Sequence, residues 1–188
     1  MTVALAIVAP DGSIHMAADG RATAGDSMFP QARKLWTHLD GRMGMATAGP
    51  GRLGQELRSV WKPPPIDYLT GDDYLLEVAG SIEAHLHASE HLWAVVARED
   101  ETQHFDGAVL VAHAGRVVWI GGDFCVNEVD PDRPYIALGT GGEVATGSLD
   151  ATHELGVEIG QRIDLALAAA AREVISVGPP FVKLTVPA

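Results

Sequence analysis

A chain of 188 residues suits one domain over residues 1–188, and a single cysteine, Cys125, excludes an intrachain disulfide framework. The formal net charge of −12 and the absence of any Lys/Arg cluster argue against a nucleic-acid partner or an anionic membrane surface. The opening MTVALAIVAPDG lacks the basic n-region of a signal peptide, and the longest apolar run, Leu165–Ala171, is too short to cross a bilayer, so a soluble cytoplasmic protein is expected.

In chain order, Thr2–Val8 and Ser13–Ala18 read as strands joined by the turn Ala9-Pro10-Asp11-Gly12, an N-terminal hairpin. Lys34–His38 and Arg42–Ala46 form a second extended pair around Leu39-Asp40-Gly41. Leu53, Leu57 and Trp61 then recur at helical spacing, and Lys62-Pro63-Pro64-Pro65 is a rigid connector. Thr70 with Asp73 resembles a capping box ahead of Leu75, Val78, Ile82 and Leu86, a second helix. A later β block begins near Leu92–Ala97, includes a hairpin of Gly107–His113 with Arg116–Ile120, and reaches Pro134–Leu138. Helices follow at Glu143–Glu154 and Glu158–Arg172, and Val174–Val177 and Phe181–Val186 close the chain as strands. Blocks of strands separated by helix pairs do not make alternating βαβ units. They predict an α+β, four-layer α/β/β/α sandwich of two antiparallel sheets, each covered on its outer face by a helix pair.

Several residue groups could carry chemistry. Loss of Met1 would leave Thr2 with a free α-amine beside its hydroxyl, a nucleophile and a base in one residue, although a threonine at position 2 is also common without any such role. Asp19, at a strand end in an Ala/Gly-rich setting, can hold the ammonium of Lys34, or the two can be a turn aspartate and a surface lysine. In Ala46-Thr47-Ala48-Gly49-Pro50-Gly51 a strand turns into a helix, which presents backbone N–H groups such as that of Gly49 to an oxyanion, or is merely a flexible connection. Gly139-Thr140-Gly141-Gly142 has the same shape but lacks the lysine and hydroxyl of a phosphate loop. His87 and His91 stand at i, i+4 with His85 nearby. No cysteine or carboxylate completes a metal motif there, and a solvated helix face is the preferred reading. No metal and no organic cofactor is expected.

Taken together, Thr2-Val3, AADGRATAGD (Ala17–Asp26), ARK (Ala32–Lys34), ATAGPG (Ala46–Gly51) and IALGTGGEVA (Ile136–Ala145) resemble the proteasome β-subunit family of N-terminal-nucleophile hydrolases, in the style of its bacterial relatives HslV and Anbu. The resemblance spans nearly the whole chain and implies a threonine peptidase. It assigns Thr2 as nucleophile, Asp19 and Lys34 as the supporting pair, Gly49 as oxyanion donor and Thr140 as the hydroxyl that orders the α-amine. Glu173 and Ser176 stand nearest to an aspartate and a serine that support that amine in the family. Thr23 falls where the backbone pairs with a bound peptide, Thr47 where the side chain floors the pocket before the cut, and Trp36 where it would narrow that pocket. The start at the first strand is β-like, without the extra helix of the α-type subunits. The resemblance further implies self-assembly into a ring, double ring or spiral, a peptide or unfolded-protein substrate, and room for an ATP-dependent unfoldase as partner. A non-catalytic assembly protein of the same fold and a small-molecule amidase are the alternatives.

One departure has a structural consequence. The Thr2–Asp19 hairpin is one residue longer than in typical members and the Asp19–Lys34 loop one shorter. A residue gained in the Ala9–Gly12 turn is harmless, whereas a bulge in the first strand would turn Thr2 aside.

Overall fold

The computed structural model describes residues 2–24, 27–30, 32–66, 72–89, 96–99 and 102–188. The first sheet is built from β1 (Ala4–Val8), β2 (Ile14–Asp19), β12 (Tyr135–Leu138) and β13 (Phe181–Val186), in the order β12-β1-β2-β13. The second takes β5 (Leu35–His38), β6 (Met43–Ala48), β9 (Ala108–His113), β10 (Arg116–Ile120) and β11 (Val126–Glu128), in the order β11-β10-β9-β6-β5. All pairings are antiparallel. Two short ribbons, β3–β4 (Arg21–Ala24, Ser27–Pro30) and β7–β8 (Val96–Glu99, Thr102–Phe105), stand apart from the sheets.

The alternation of side chains explains why the two sheets stack. Along β1, Leu5 and Ile7 point to the helices α3 (Gly142–Glu154) and α4 (Ile159–Glu173), with Val3 ahead of the strand on the same side. Ala4 and Ala6, with Ala18 beside them on β2, point to the second sheet, where they meet Ala46 and Ala112. Small residues let the sheets approach closely. A Cβ on Gly44 would stand 2.7 Å from Val186, so only glycine fits that rung. On the outer face of the second sheet, Met43, Met45, Val109 and Val111 pack under α1 (Gly51–Ser59) and α2 (Asp72–Ala88). Both faces of each sheet are therefore covered, which is why the strands are almost continuously apolar. This is the expected four-layer α/β/β/α sandwich.

The register answers the question of the longer hairpin. Pairing runs unbroken from Ala4 opposite Ala18 to Val8 opposite Ile14, continues with Ala9 N–H to the Ser13 carbonyl, and extends at the other end with Asp19 N–H to the Val3 carbonyl. The strands hold no bulge, so the additional residue sits in the turn and Thr2 keeps its place at the sheet end.

Three expectations need correction or addition. Val174–Val177 is not a strand: Val174 N–H still bonds the Ala170 carbonyl at the end of α4, and Val177 N–H turns back to Val174. β11 and the β3–β4 ribbon were not expected. Trp61 lies beyond the end of α1, although it is buried in the same core. Thr70 and most of Leu92–Ala97 lie outside the described residues; α2 begins at Asp72.

Candidate functional site

Thr2 sits at the N-terminal end of β1 and is 2% exposed. Its backbone is gripped by the loop after β12. Gly141 N–H donates to the Thr2 carbonyl at 3.1 Å, and Thr2 N–H donates to Thr140 Oγ1 at 3.2 Å. Gly139 makes this possible. With φ of +88° it adopts a conformation that favours glycine, and a Cβ there would overlap the Thr2 carbonyl. The glycine-rich loop thus serves the start of β1.

Asp19, at the end of β2, is 1% exposed and collects four donors. Its Oδ1 accepts Val3 N–H at 2.9 Å and Lys34 Nζ at 2.8 Å, while Oδ2 accepts Arg21 N–H at 3.1 Å and Gly178 N–H at 3.4 Å. A buried carboxylate needs such satisfaction to persist. The Val3 bond ties the pair to the residue that follows Thr2. Lys34, with its side chain 10% exposed, is pushed below the usual lysine pKa by burial, against the opposing bond and charge of Asp19.

Gly49 follows β6 and precedes α1, with φ of +126°. A Cβ there would stand 2.5 Å from the Asp106 carbonyl oxygen and 2.8 Å from Gly107 Cα. The turn therefore lies flat against the backbone before β9. Thr47, on β6, is 7% exposed, and its Oγ1 lies 2.7 Å from where a Cβ on Gly54 would be, so strand and helix meet closely at this floor.

Two open clefts meet at Thr2 and Gly49. One, of about 520 Å3, is lined by Thr2, Thr23, Lys34, Thr47, Gly49 and residues of α1. The other, of about 360 Å3, is lined by Thr2, Gly49, Asp106, Gly107, Gly139 and Thr140. A larger molecule crossing Thr2 can place one part in each.

The structure thus gathers Thr2, Asp19, Lys34, Gly49, Thr140, Thr23 and Thr47. It does not place Trp36 at the cleft. The Trp36 indole is 8% exposed within the core beneath α1 and donates from Nε1 to His38 Nε2, because one rung further along β5 the helix covers the strand. Glu173 is exposed at the end of α4 and lines neither cleft. Ser176 is buried, and its hydroxyl has no hydrogen-bond partner among the described residues. It lies in the segment that supplies Gly178 N–H to Asp19 and the Ile175 carbonyl to Arg21. Sequence reasoning missed Asp106, Gly107, Arg33 and Arg58 as cleft residues. Asp106-Gly107 is legible as a turn, but no local signal places it against Gly49.

Among the described residues no cluster of His, Cys, Asp and Glu could hold a metal ion. His91 lies outside them. His85 bonds Glu56 at 3.1 Å, and the His87 ring packs against Phe124. No described helix is long and apolar enough to cross a membrane.

No protein-family profile and no curated protein sequence matches the chain. Solved structures do. A structure of Thiobacillus denitrificans BPH is 22% identical with a TM-score of 0.74, covering 97% of this chain and 96% of its own. HslV from Trypanosoma brucei is 16% identical with a TM-score of 0.76, covering 98% of each chain. Anbu, described as an ancestral β-subunit, from Yersinia bercovieri is 17% identical with a TM-score of 0.73, covering 99% of this chain and 81% of its own. The fold is accordingly that of the proteasome-type β subunits.

Proposed function

We propose that this chain is a self-assembling threonine hydrolase of the proteasome and HslV class, which cleaves peptide bonds through Thr2 after removal of Met1. The observation that carries the proposal is the placement of Thr2 where two open clefts meet, beside the buried Asp19–Lys34 pair and against Gly49. In this reading the α-amine takes the Thr2 Oγ proton, directly or through a water, as Oγ attacks the substrate carbonyl. Gly49 N–H holds the resulting oxyanion. The proton passes to the departing amine, and water then hydrolyses the acyl ester. Lys34 lowers the proton affinity of the α-amine and stabilises developing negative charge, Asp19 fixes Lys34, and Thr140 orders the amine, a role in which Ser176 would assist. Thr23 and Thr47 receive the substrate on the acyl side. The open clefts favour a peptide or unfolded protein over the small substrate of an enclosed amidase pocket.

Intact mass before and after incubation with a peptide epoxyketone tests this. That reagent closes a stable ring using both the hydroxyl and the amine of a terminal threonine, and epoxomicin is the ligand in one T. denitrificans BPH structure of the same fold. Loss of Met1 and one adduct per chain are expected. A native mass should report a ring, double ring or spiral, as a helical assembly is described for Anbu from Pseudomonas aeruginosa (24% identical, TM-score 0.63). Retained Met1 would instead favour a non-catalytic assembly protein, the reading that the exposed Glu173 supports, and a monomeric mass would count against the peptidase. Any unfoldase partner would join such an assembly.

The burial of Lys34 also predicts a pH profile. The folded state holds the lysine proton less tightly than the unfolded chain, so this group makes stability rise with pH between its folded pKa and about 10.4. The ammonium itself is lost as pH climbs through that lowered value. We expect kcat/KM to rise as the α-amine deprotonates and to fall again below the pH at which free lysine titrates. Lys34→Arg should move the falling limb upward, because a guanidinium stays charged. A falling limb at the same pH in both proteins would remove Lys34 from this role.

A further inference from the structure

We infer that the larger cleft takes an acidic side chain, so that the substrate carries glutamate or aspartate immediately before the bond that is cut. The inference rests on the hydrolase reading for the side of the cut on which this cleft lies. Its basis is the charge of the lining. The chain has 25 Asp and Glu against 13 Lys and Arg, yet the described residues around this cleft include Arg33, Lys34 and Arg58 and no carboxylate. Lys34 is engaged by Asp19. The two arginines are not so engaged: among the described residues neither has a carboxylate partner.

Arg58 is positioned rather than loose. It comes from the last turn of α1, and its Nη1 donates to the Arg33 carbonyl at 3.0 Å. That bond joins α1 to the segment ahead of β5 and spans the cleft wall. It uses one of the five N–H donors of the guanidinium, and the others stay available for a carboxylate, which the planar fork can grip with two parallel bonds. Arg33 adds a second, exposed guanidinium at the same rim. The floor supplies neutral polar groups: Thr47 with its hydroxyl against Gly54, and Thr23 and Gln55 beside it. An arginine or lysine in the substrate would meet two guanidinium groups that no described carboxylate neutralises. The lining also holds Ala22, Phe29, Ala32 and Pro50, so a leucine is the competitor to rank against glutamate, and it would leave both guanidinium groups without a carboxylate.

The test uses the assembled, processed protein and matched tripeptide coumarin amides that end in glutamate, leucine or arginine. The expected kcat/KM favours glutamate over arginine by about tenfold or more, the scale of one charge-assisted hydrogen bond at a wet rim. Arg33→Gln keeps the backbone carbonyl that holds Arg58, so it alters charge alone, and Arg58→Gln removes the positioned fork. Each should narrow the glutamate-to-arginine ratio, and the double variant should bring it close to one. Throughout, an apolar peptide epoxyketone should still form its adduct, which shows that Thr2 remains competent. A preference for leucine or arginine, or a ratio that the double variant leaves unmoved while the adduct forms, overturns the inference. Calorimetry on Thr2→Ala protein separates this from the hydrolase reading. Tighter binding of the glutamate-ended tripeptide acid than of the arginine-ended one upholds the cleft even if wild type forms no adduct. Equal binding refutes it.

Discussion

Thr2→Ala protein should lose about four orders of magnitude of peptide-hydrolysing activity or more, the scale on which removal of a covalent nucleophile acts. The fold should survive. Thr2 lies ahead of the first residue of β1, and what holds it is backbone: Gly141 N–H to its carbonyl and its own N–H to Thr140 Oγ1. An alanine keeps both. The side chain removed is one hydroxyl and one methyl at a sheet end, so the melting temperature should move by only a few degrees, about 2–4 °C per kcal/mol for a chain of this size. Thr2→Ser, which retains the hydroxyl, should keep measurable turnover and still form the epoxyketone adduct. The informative measurement is progress-curve hydrolysis of a fluorogenic peptide by wild type, Thr2→Ser and Thr2→Ala prepared side by side. Undiminished cleavage by Thr2→Ala would mean that some other group is the nucleophile, and the chemistry assigned to this end of β1 would have to be abandoned.

The layers of this fold were legible because apolar runs and helical spacing mark the buried elements. The apolar residues between turn signals in Thr2–Val8 and Ser13–Ala18, and those at helical spacing, Leu75, Val78, Ile82 and Leu86, all belong to the buried clusters or pack against them. Where burial leaves no pattern, legibility ended. The β3–β4 ribbon carries Arg21, Thr23 and an exposed Phe29 and belongs to neither sheet, so it has no apolar period to read. The β-branched residues of Val174–Val177 imitate a strand, but the last turn of α4 and the glycine and prolines after it hold them as a connection. At the site, Asp19, Lys34 and Gly49 were recognisable from local strings of sequence. Trp36 was misplaced because strand parity alone does not say where a helix begins to cover the sheet. It shares a face with Thr47, but one rung deeper, under α1. Arg58 and Asp106 reach the clefts through tertiary packing, and nothing in their neighbours in sequence announces it.

The second large effect is expected at Asp19. Asp19→Ala strands a lysine ammonium in a place where its side chain is 10% exposed and burial already disfavours its charge. It also removes the acceptor from three backbone N–H groups, those of Val3, Arg21 and Gly178. Breaking a buried ion pair from one side costs about 3–5 kcal/mol. At roughly 2–4 °C per kcal/mol, the melting temperature should fall by about 6–20 °C. Activity should fall with it, even well below the new melting point, because the Val3 N–H bond is what ties the start of β1 to the pair. Lys34→Ala should cost less stability, since the carboxylate keeps its three backbone donors. The double variant Asp19→Ala/Lys34→Ala should be more stable than the sum of the single losses predicts, for with both charges gone no buried ammonium remains unpaired. Urea denaturation of the four proteins closes this cycle. Additive losses, or an Asp19→Ala protein that melts within about 2 °C of wild type, would mean that the pair neither holds the first strand nor carries the electrostatics assigned to it, and the case for a working threonine at its side would lose its physical support.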